Sequence, residues 1–503
     1  MNEKKVRAAV AADSNRPKIG LPKTRNSFPR PGKDSMLICT LGGVGQIGMN
    51  WTLYGHDGRW ILVDAGSAFP PRDVDGVEAI MPDIEMLRPI LPDLSGLIVT
   101  HAHEDHIGAI HRLWPTINCP IYATPFAGEV ISHRLWEAGT REQVRMKRFL
   151  PGGTFRVSGF TIKAVRTTHS VPECVGLAIN TPVGTVFHSG DWKFDPHPLI
   201  GKPTDIGALQ EIGRAGVLAM VCDSTNADRS GAETTERDVA VAMERVLRRT
   251  SGMVVVSCFS TNIARIASIA TAANRTGRVA ALAGRSLVNN EHAARKVGLL
   301  DGVPNFLASA RHLRGLDKKE MVLVCTGSQG EGNAALARLA FDPGHALPQL
   351  GPGDAVVHSA RVIPGNEEGL YAVLDAFRAR GVDVLQGSFA GKPLHVTGHA
   401  VAEEIDRMYG YIKPRFAIPV HGESRHLELH AGIARRAGVA DVAVGQEGAV
   451  WSVNAMGIEL AASVPMRLVA ELSGGQRGIF VPWNPADPAS CLDHVPTRSL
   501  MVA

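Results

Sequence analysis

The sequence predicts an α/β protein whose strand-rich beginning and end are separated by a unit of different rhythm. Three observations carry this. Residues 36–225 hold short apolar runs with Gly, His, Asp or Ser at or near their ends; residues 226–360 alternate helical and strand patterns; strand-and-loop signals return over residues 361–450. Alternation implies a parallel sheet with helices on both faces. The middle unit therefore reads as a domain inserted into the first.

In the first part, RWILVDAG (59–66), LSGLIVTHAH (94–103), FTIKAVRTTHS (160–170), TVFHSGDW (185–192) and VLAMVCDST (217–225) read as strands. Each delivers a chemically capable residue just past the strand, the pattern of a site built on loops and positioned by a rigid sheet. In the middle, Thr235 with Asp238 makes a capping box ahead of Val239, Met243, Val246 and Leu247 at helical spacing. A strand (MVVVSCF), a helix over about 261–274, a strand (RVAALAG), a second helix and a strand (MVLVCTG) follow. Over 361–450 the strand signals are VDVLQG, PLHVTGHA and FAIPVHGES, with a helix between Val401 and Tyr411, and these are expected to complete the first domain. Residues 451–503 are weakly patterned and are expected to form a short, loosely organised extension.

Bulk properties narrow the function. A 503-residue chain that is 45% hydrophobic and 20% charged suits two or three globular domains. No apolar run reaches the ~18 residues of a membrane span, and Ala8 to Ala12 is too short for a secretory apolar region. A cytoplasmic protein with no membrane partner is the expectation. The seven cysteines are scattered with no CxxC spacing, several of them inside apolar runs, which suits buried thiols in a reducing compartment. A metal, if held, is therefore held by nitrogen and oxygen. Residues 1–35 carry nine Lys/Arg against three Asp/Glu, a surplus of +6 that leaves −2 for the rest of a +4 chain. That basic tail is expected to be disordered, either as a solvated segment or as a salt-sensitive tether for a polyanion.

The strongest chemical signal is HAHEDHIG (101–108), directly after an apolar strand. His101, His103, Asp105 and His106 cannot all reach one metal from a regular element, but on a loop they can be divided between two. Imidazole and carboxylate suit Zn²⁺, with Mn²⁺ the alternative. Later strand ends offer His169, Asp191 and His421, and a carboxylate such as Asp191 can bridge two cations. His188 and His197 flank Asp191 and are set aside as structural. Asp64, ending ILVDAG, suits the task of orienting a ligand imidazole. A basic cluster of Arg141, Arg145, Lys147 and Arg148 reads as a solvated helix face.

With CDSTNAD (222–228), GRSL (284–287), CTGSQGE (325–331), IPGNEE (363–368), HVTGH (395–399) and PVHGE (419–423), the chain resembles the metallo-β-lactamase superfamily. Within it the resemblance is to the β-CASP ribonucleases, and among these to the bacterial ribonuclease J group, over roughly residues 36–450. The resemblance implies an αββα sandwich interrupted by a β-CASP domain, with the active site in the cleft between them. It implies two metal ions, one held by His101, His103 and His169, the other by Asp105, His106 and His421, with Asp191 bridging. Asp223, His399 and His421 match the three β-CASP motifs. Catalytic roles are implied for His399, Asp105 and Asp223, with His399 the general acid. The segment His395, Val396, Thr397, Gly398 and His399 is implied to grip a substrate phosphate. Family members commonly carry a further domain of about a hundred residues where this chain has some fifty, and small polar residues where Ala400, Val401 and Ala402 stand.

The function so implied is a zinc-dependent ribonuclease, a 5′→3′ exonuclease with endonuclease activity in RNA maturation and decay. Its partner would be single-stranded RNA with a 5′ monophosphate preferred, and its assembly a homodimer or homotetramer. Two rivals stand beside it. An ester or small-molecule hydrolase of the same fold has no evident need of His399 and His421 in this arrangement, and an RNA-binding paralogue without activity has no need of a complete ligand set.

Overall fold

The computed structural model describes residues 27–494 apart from 72, 73, 75, 115, 232, 233, 343–346, 364 and 473–478. The tail expected to be disordered lies outside the described residues as far as residue 26. Residues 27–35 do not share that expectation: Phe28 stacks edge-on against Trp60 at 5.9 Å, and the carbonyls of Pro31 and Gly32 accept from Gly58 and Asp57.

Two sheets form the frame. The first has eight strands in the order Ile458–Ser463, Ala449–Val453, Met36–Gly42, Trp51–His56, Arg59–Val63, Leu94–Ile98, Ile121–Ala123 and Met146–Arg148. The second has seven, in the order Asp441–Val442, Pro414–Val420, Val217–Asp223, Gly184–His188, Val175–Thr181, Phe160–Arg166 and Thr154–Val157. Their facing sides share one core: Met36, Ile38 and Ile61 from the first sheet pack with Ile162, Ile179 and Phe416 from the second. The alternate residues Leu37, Cys39 and Leu41 point the other way, into the cluster that also holds the helix Pro125–Glu137. Burial on both faces explains why these strands read as continuous apolar runs rather than alternations. The helices Ile206–Ala215 and Ala402–Ile412 cover the outer face of the second sheet. The result is helix, sheet, sheet, helix.

The insertion is visible in the pairing. Val217–Asp223 and Pro414–Val420 are parallel neighbours, Asp223 opposite Val420, although nearly two hundred residues separate them in the chain. Between them lies an all-parallel sheet in the order Val279–Ala283, Met321–Cys325, Val254–Ser257, Ala355–His358 and Asp383–Leu385. The strand order reverses beside Val254–Ser257, and crevices at such reversals open at the carboxyl ends of the strands. Here that end meets the return segment, where Ser359 Oγ donates to the Leu394 carbonyl at 2.6 Å.

Three expectations are corrected. VDVLQG, expected to complete the first domain, supplies Asp383–Leu385 to the inserted sheet, so that unit continues past residue 360. A three-residue strand carries no mark of which sheet it will join. Residues after 450 are not loose: Ala449–Val453 and Ile458–Ser463 extend the first sheet, and Leu468–Leu472 pairs with both Ile479–Trp483 and Val77–Pro82. The basic cluster is divided and does not share one helix face: Arg141 opens the short 3-10 helix Arg141–Gln143, and Lys147 and Arg148 lie on the strand Met146–Arg148. Arg148 sits on an edge strand and pairs with Glu129, and Lys147 lies over the Tyr122 ring. Among the described residues no helix is long and apolar enough to cross a membrane.

Candidate metal centre

Each candidate ligand stands just beyond a buried strand. His101 and His103 follow Leu94–Ile98, and Asp105 and His106 lie in the single helical turn Glu104–Ile107. His169 follows Phe160–Arg166, Asp191 follows Gly184–His188, and His421 follows Pro414–Val420. The loop 101–108 is pressed close to the chain after Asp64: a Cβ on Gly66 would stand 1.7 Å from the Asp105 carbonyl oxygen, so only glycine fits. Asp64 and His421 adopt φ of +60° and +55°, sparsely populated for residues other than glycine. His421 is held there by its N–H, which donates to the Gly43 carbonyl at 2.5 Å.

The ligand atoms form two groups that share Asp191, His101–His103–His169–Asp191 and Asp105–His106–His421–Asp191, each within 4.8 Å. In the first, His103 Nδ1 lies 3.2 Å from His101 Nε2 and 3.0 Å from His169 Nε2. Burial and then the neighbouring imidazoles hold His101 and His169 well below the ordinary histidine range, and burial lowers His103 to about 4. Three uncharged rings thus converge, each with one nitrogen free of a proton to offer a cation. In the second, burial disfavours charge on His106 and His421, but Asp191 and the other carboxylates outweigh it and raise both well above the ordinary value. Asp191 Oδ2 stands 3.2 Å from His106 Nε2, 3.7 Å from His169 Nε2 and 3.8 Å from His101 Nε2. Among the described residues, Asp191 Oδ2 and His421 Nε2 make no well-aligned hydrogen bond and are met by ion pairs, His421 Nε2 with Asp105 Oδ2 at 3.2 Å. A buried carboxylate set between two groups of ring nitrogens fits divalent cations, which would displace the protons of the second group, and the nitrogen and oxygen donor set suits zinc or manganese.

The ring tautomers are set from behind. His106 Nδ1 is 2.7 Å from Asp64 Oδ2. Thr100 Oγ1 donates to that same oxygen at 2.7 Å and lies 3.0 Å from His101 Nδ1, so one aspartate orients two imidazoles. His169 Nδ1 donates to the Gly398 carbonyl at 2.6 Å. A third grouping joins Asp191, Asp223, His399 and His421. In it His399 Nδ1 lies 2.8 Å from Asp223 Oδ2, and Asp223 Oδ1 accepts from the Thr225 N–H and hydroxyl.

Comparison with known proteins follows the same divisions. Residues 59–217 match a beta-lactamase superfamily domain, 251–377 the beta-CASP domain of ribonuclease J, and 392–442 a Zn-dependent metallo-hydrolase RNA specificity domain. The chain is 40% identical over 415 residues to ribonuclease J of Sinorhizobium meliloti, covering 81% of this chain and 72% of that protein. The chain belongs to the ribonuclease J family. Ribonuclease J of Mycolicibacterium smegmatis is 36% identical (84% and 75% covered), and that of Thermus thermophilus 34% identical (86% and 76% covered). A crystal structure of a protein of unknown function from Enterococcus faecalis superimposes with a TM-score of 0.59 at 15% identity, over 83% of this chain and 100% of that one, and so shares the fold. Membership places the chain among metal-dependent ribonucleases, hydrolases of RNA.

The ribonuclease J segment HVTGH is divided in its contacts. Gly398 carries His169, and a Cβ there would lie 2.6 Å from that ring. Thr397 Oγ1 accepts from Asn226 at 2.9 Å, and its carbonyl from Lys193 at 3.2 Å. His395 Nδ1 is buried without a hydrogen-bond partner among the described residues. Burial, and then Arg265, His358, Lys193 and Arg361, hold that ring uncharged. Val396, expected to touch substrate, is 3% exposed and packs in the core, since alternate residues of this extended segment face opposite ways. Sequence reasoning missed Asn50, whose amide reaches His106 Nε2 at 3.0 Å and Asp105 Oδ2 at 3.3 Å. Its signal was the glycine-rich run LGGVGQIGMN that ends on it.

Proposed function

We propose that this chain hydrolyses phosphodiester bonds of single-stranded RNA as a 5′→3′ exonuclease with endonuclease activity, using two Zn²⁺, or Mn²⁺ in their place. The observation that carries the reading is Asp191 Oδ2, buried where two ligand groups meet and within 3.2 to 3.8 Å of ring nitrogens from both. His101, His103 and His169 would hold one ion, Asp105, His106 and His421 the other, and Asp191 both. Bound there, the pair supplies positive charge against the scissile phosphate and a lowered pKa for water, to about 7.

The chain's own residues do the rest. Asp223 holds His399 by Nδ1, which leaves Nε2 to give a proton to the departing oxygen. His395 and Thr397 offer polar groups to a substrate phosphate, with Lys193 and Arg361 supplying positive potential around them. A preference for a 5′ monophosphate and assembly as a homodimer or homotetramer complete the proposal. The test is an RNA carrying a 5′ monophosphate, labelled separately at each end, with Zn²⁺ or Mn²⁺, with chelator, and with His103→Ala alongside. Metal-dependent release of 5′ mononucleotides, lost in the variant, is the expected result. Internal fragments alone would move the reading to an endonuclease, and no cleavage with two ions bound would move it to another substrate.

A further inference from the structure

Glu104 stands inside HAHEDHIG yet belongs to neither ligand group. Its carboxylate meets Arg134 at 2.6 Å and Arg112 at 3.5 Å, and accepts from Ser67 Oγ at 3.4 Å. Arg112 is the branch point. Its Nη1 donates to the Gly108 carbonyl at 2.6 Å, and its Nε donates to the carboxylate of Glu471. Both side chains are nearly buried, 12% and 11% exposed. Glu471 lies on Leu468–Leu472, opposite Ala79 of Val77–Pro82. The core of that small sheet includes Met49, the neighbour of Asn50. The C-terminal strands therefore press on both flanks of the turn that presents Asp105 and His106: Glu104 and Gly108 on one side, Asn50 on the other.

We propose that Glu471, acting through Arg112, is a positioning residue for Asp105 and His106, so that the C-terminal strand sets the second metal position and not the first. Asp105 and His106 lie inside the turn that Arg112 clamps at Gly108, whereas His101 stands before that turn, His103 only caps it, and His169 comes from the other sheet, which makes the effect selective. The contact is built to hold: the planar guanidinium ties a carboxylate, a backbone carbonyl and the metal turn together, and groups behind metal ligands commonly govern affinity about 10- to 100-fold. The proposal rests on the two-ion reading above.

The test is titration of the full-length, metal-free chain with Co²⁺, read by visible absorption and by equivalents retained after dialysis. Wild type is expected to take two equivalents. Glu471→Gln should keep the first unchanged and weaken the second about 10- to 100-fold, with partial recovery in Glu471→Asp. Arg112→Lys, which keeps the charge but not the fork, should reproduce the selective loss. Two equivalents of unchanged affinity in Glu471→Gln would overturn the proposal, as would equal weakening of both together with a lowered melting temperature of the metal-free chain. A wild type that binds fewer than two equivalents would overturn the two-ion reading, and this inference with it.

Discussion

His399 Nδ1 and Asp223 Oδ2 lie 2.8 Å apart, although 176 positions separate them and each comes from a different side of the insertion. Burial works against charge on Asp223, but His399 and hydrogen bonds outweigh it and hold the carboxyl below the usual range, so it remains an acceptor. The first prediction follows. His399→Ala should retain both metal ions yet lose turnover by ~10²- to 10⁴-fold, the usual contribution of a proton donor. Asp223→Asn should fall between that variant and wild type. Metal analysis beside single-turnover cleavage checks both, and loss of metal from His399→Ala would sink the assignment.

Asp191 and Asp64 make a contrasting pair of carboxylates. Asp191 faces ligand atoms of both groups, whereas Asp64 meets the back of the His106 ring and the Thr100 hydroxyl that lies beside His101. Asp191→Asn should therefore lose both ions on dialysis against chelator. Asp64→Asn should keep the ligand set and weaken binding about 10- to 100-fold. Elemental analysis after graded dialysis distinguishes the two outcomes.

Metal uptake should release protons, and unequally. His106 and His421 are raised in the metal-free chain, so they still carry protons at neutral pH that a cation must displace. His101 and His169 are lowered and His103 sits at about 4, so the first group is already unprotonated. Lowering the pH from about 8 to 6 should weaken the second ion more than the first. Calorimetric titration with Zn²⁺ in buffers of different ionisation enthalpy reads the protons released at each step.

Much of this candidate site was legible because its candidate ligands sit at strand ends, where an apolar run stops on a His or Asp; LIVTHAH, AVRTTHS, VFHSGD and AIPVHG all behave this way. What was illegible lies in contacts without local pattern. Arg112 and Glu471 are 359 positions apart, and nothing in the short, partly polar run LVAEL marks it as a neighbour of the metal loop. Thr100, between Asp64 and His101, has the same difficulty: a threonine at the end of a strand signals nothing until its two partners are in place. Asp383–Leu385 was assigned to the wrong sheet because neighbours, not its own three residues, decide where it pairs.

Arg265 also escaped notice, as one basic residue in an apolar helix, and it gives the last prediction. It is fully buried and donates to both oxygens of Glu236, at 3.0 and 2.8 Å, and to the Ser359 carbonyl at 2.8 Å. Ser359 in turn holds the Leu394 carbonyl, directly before HVTGH. Removing one partner strands the other charge in the core, so Arg265→Ala should destabilise the chain by about 3–5 kcal/mol in urea unfolding, and Glu236→Ala likewise. Replacing both with apolar residues of similar volume should cost less than either single change. Burial raises Glu236, but Arg265 outweighs it and leaves the folded pKa below the unfolded one. The stabilisation from this pair is therefore present above the ordinary glutamate range and is lost as pH falls through the folded value. Acid unfolding of Glu236→Gln should consequently be less steep than that of wild type, and an unchanged slope would show that the pair does not titrate with the fold.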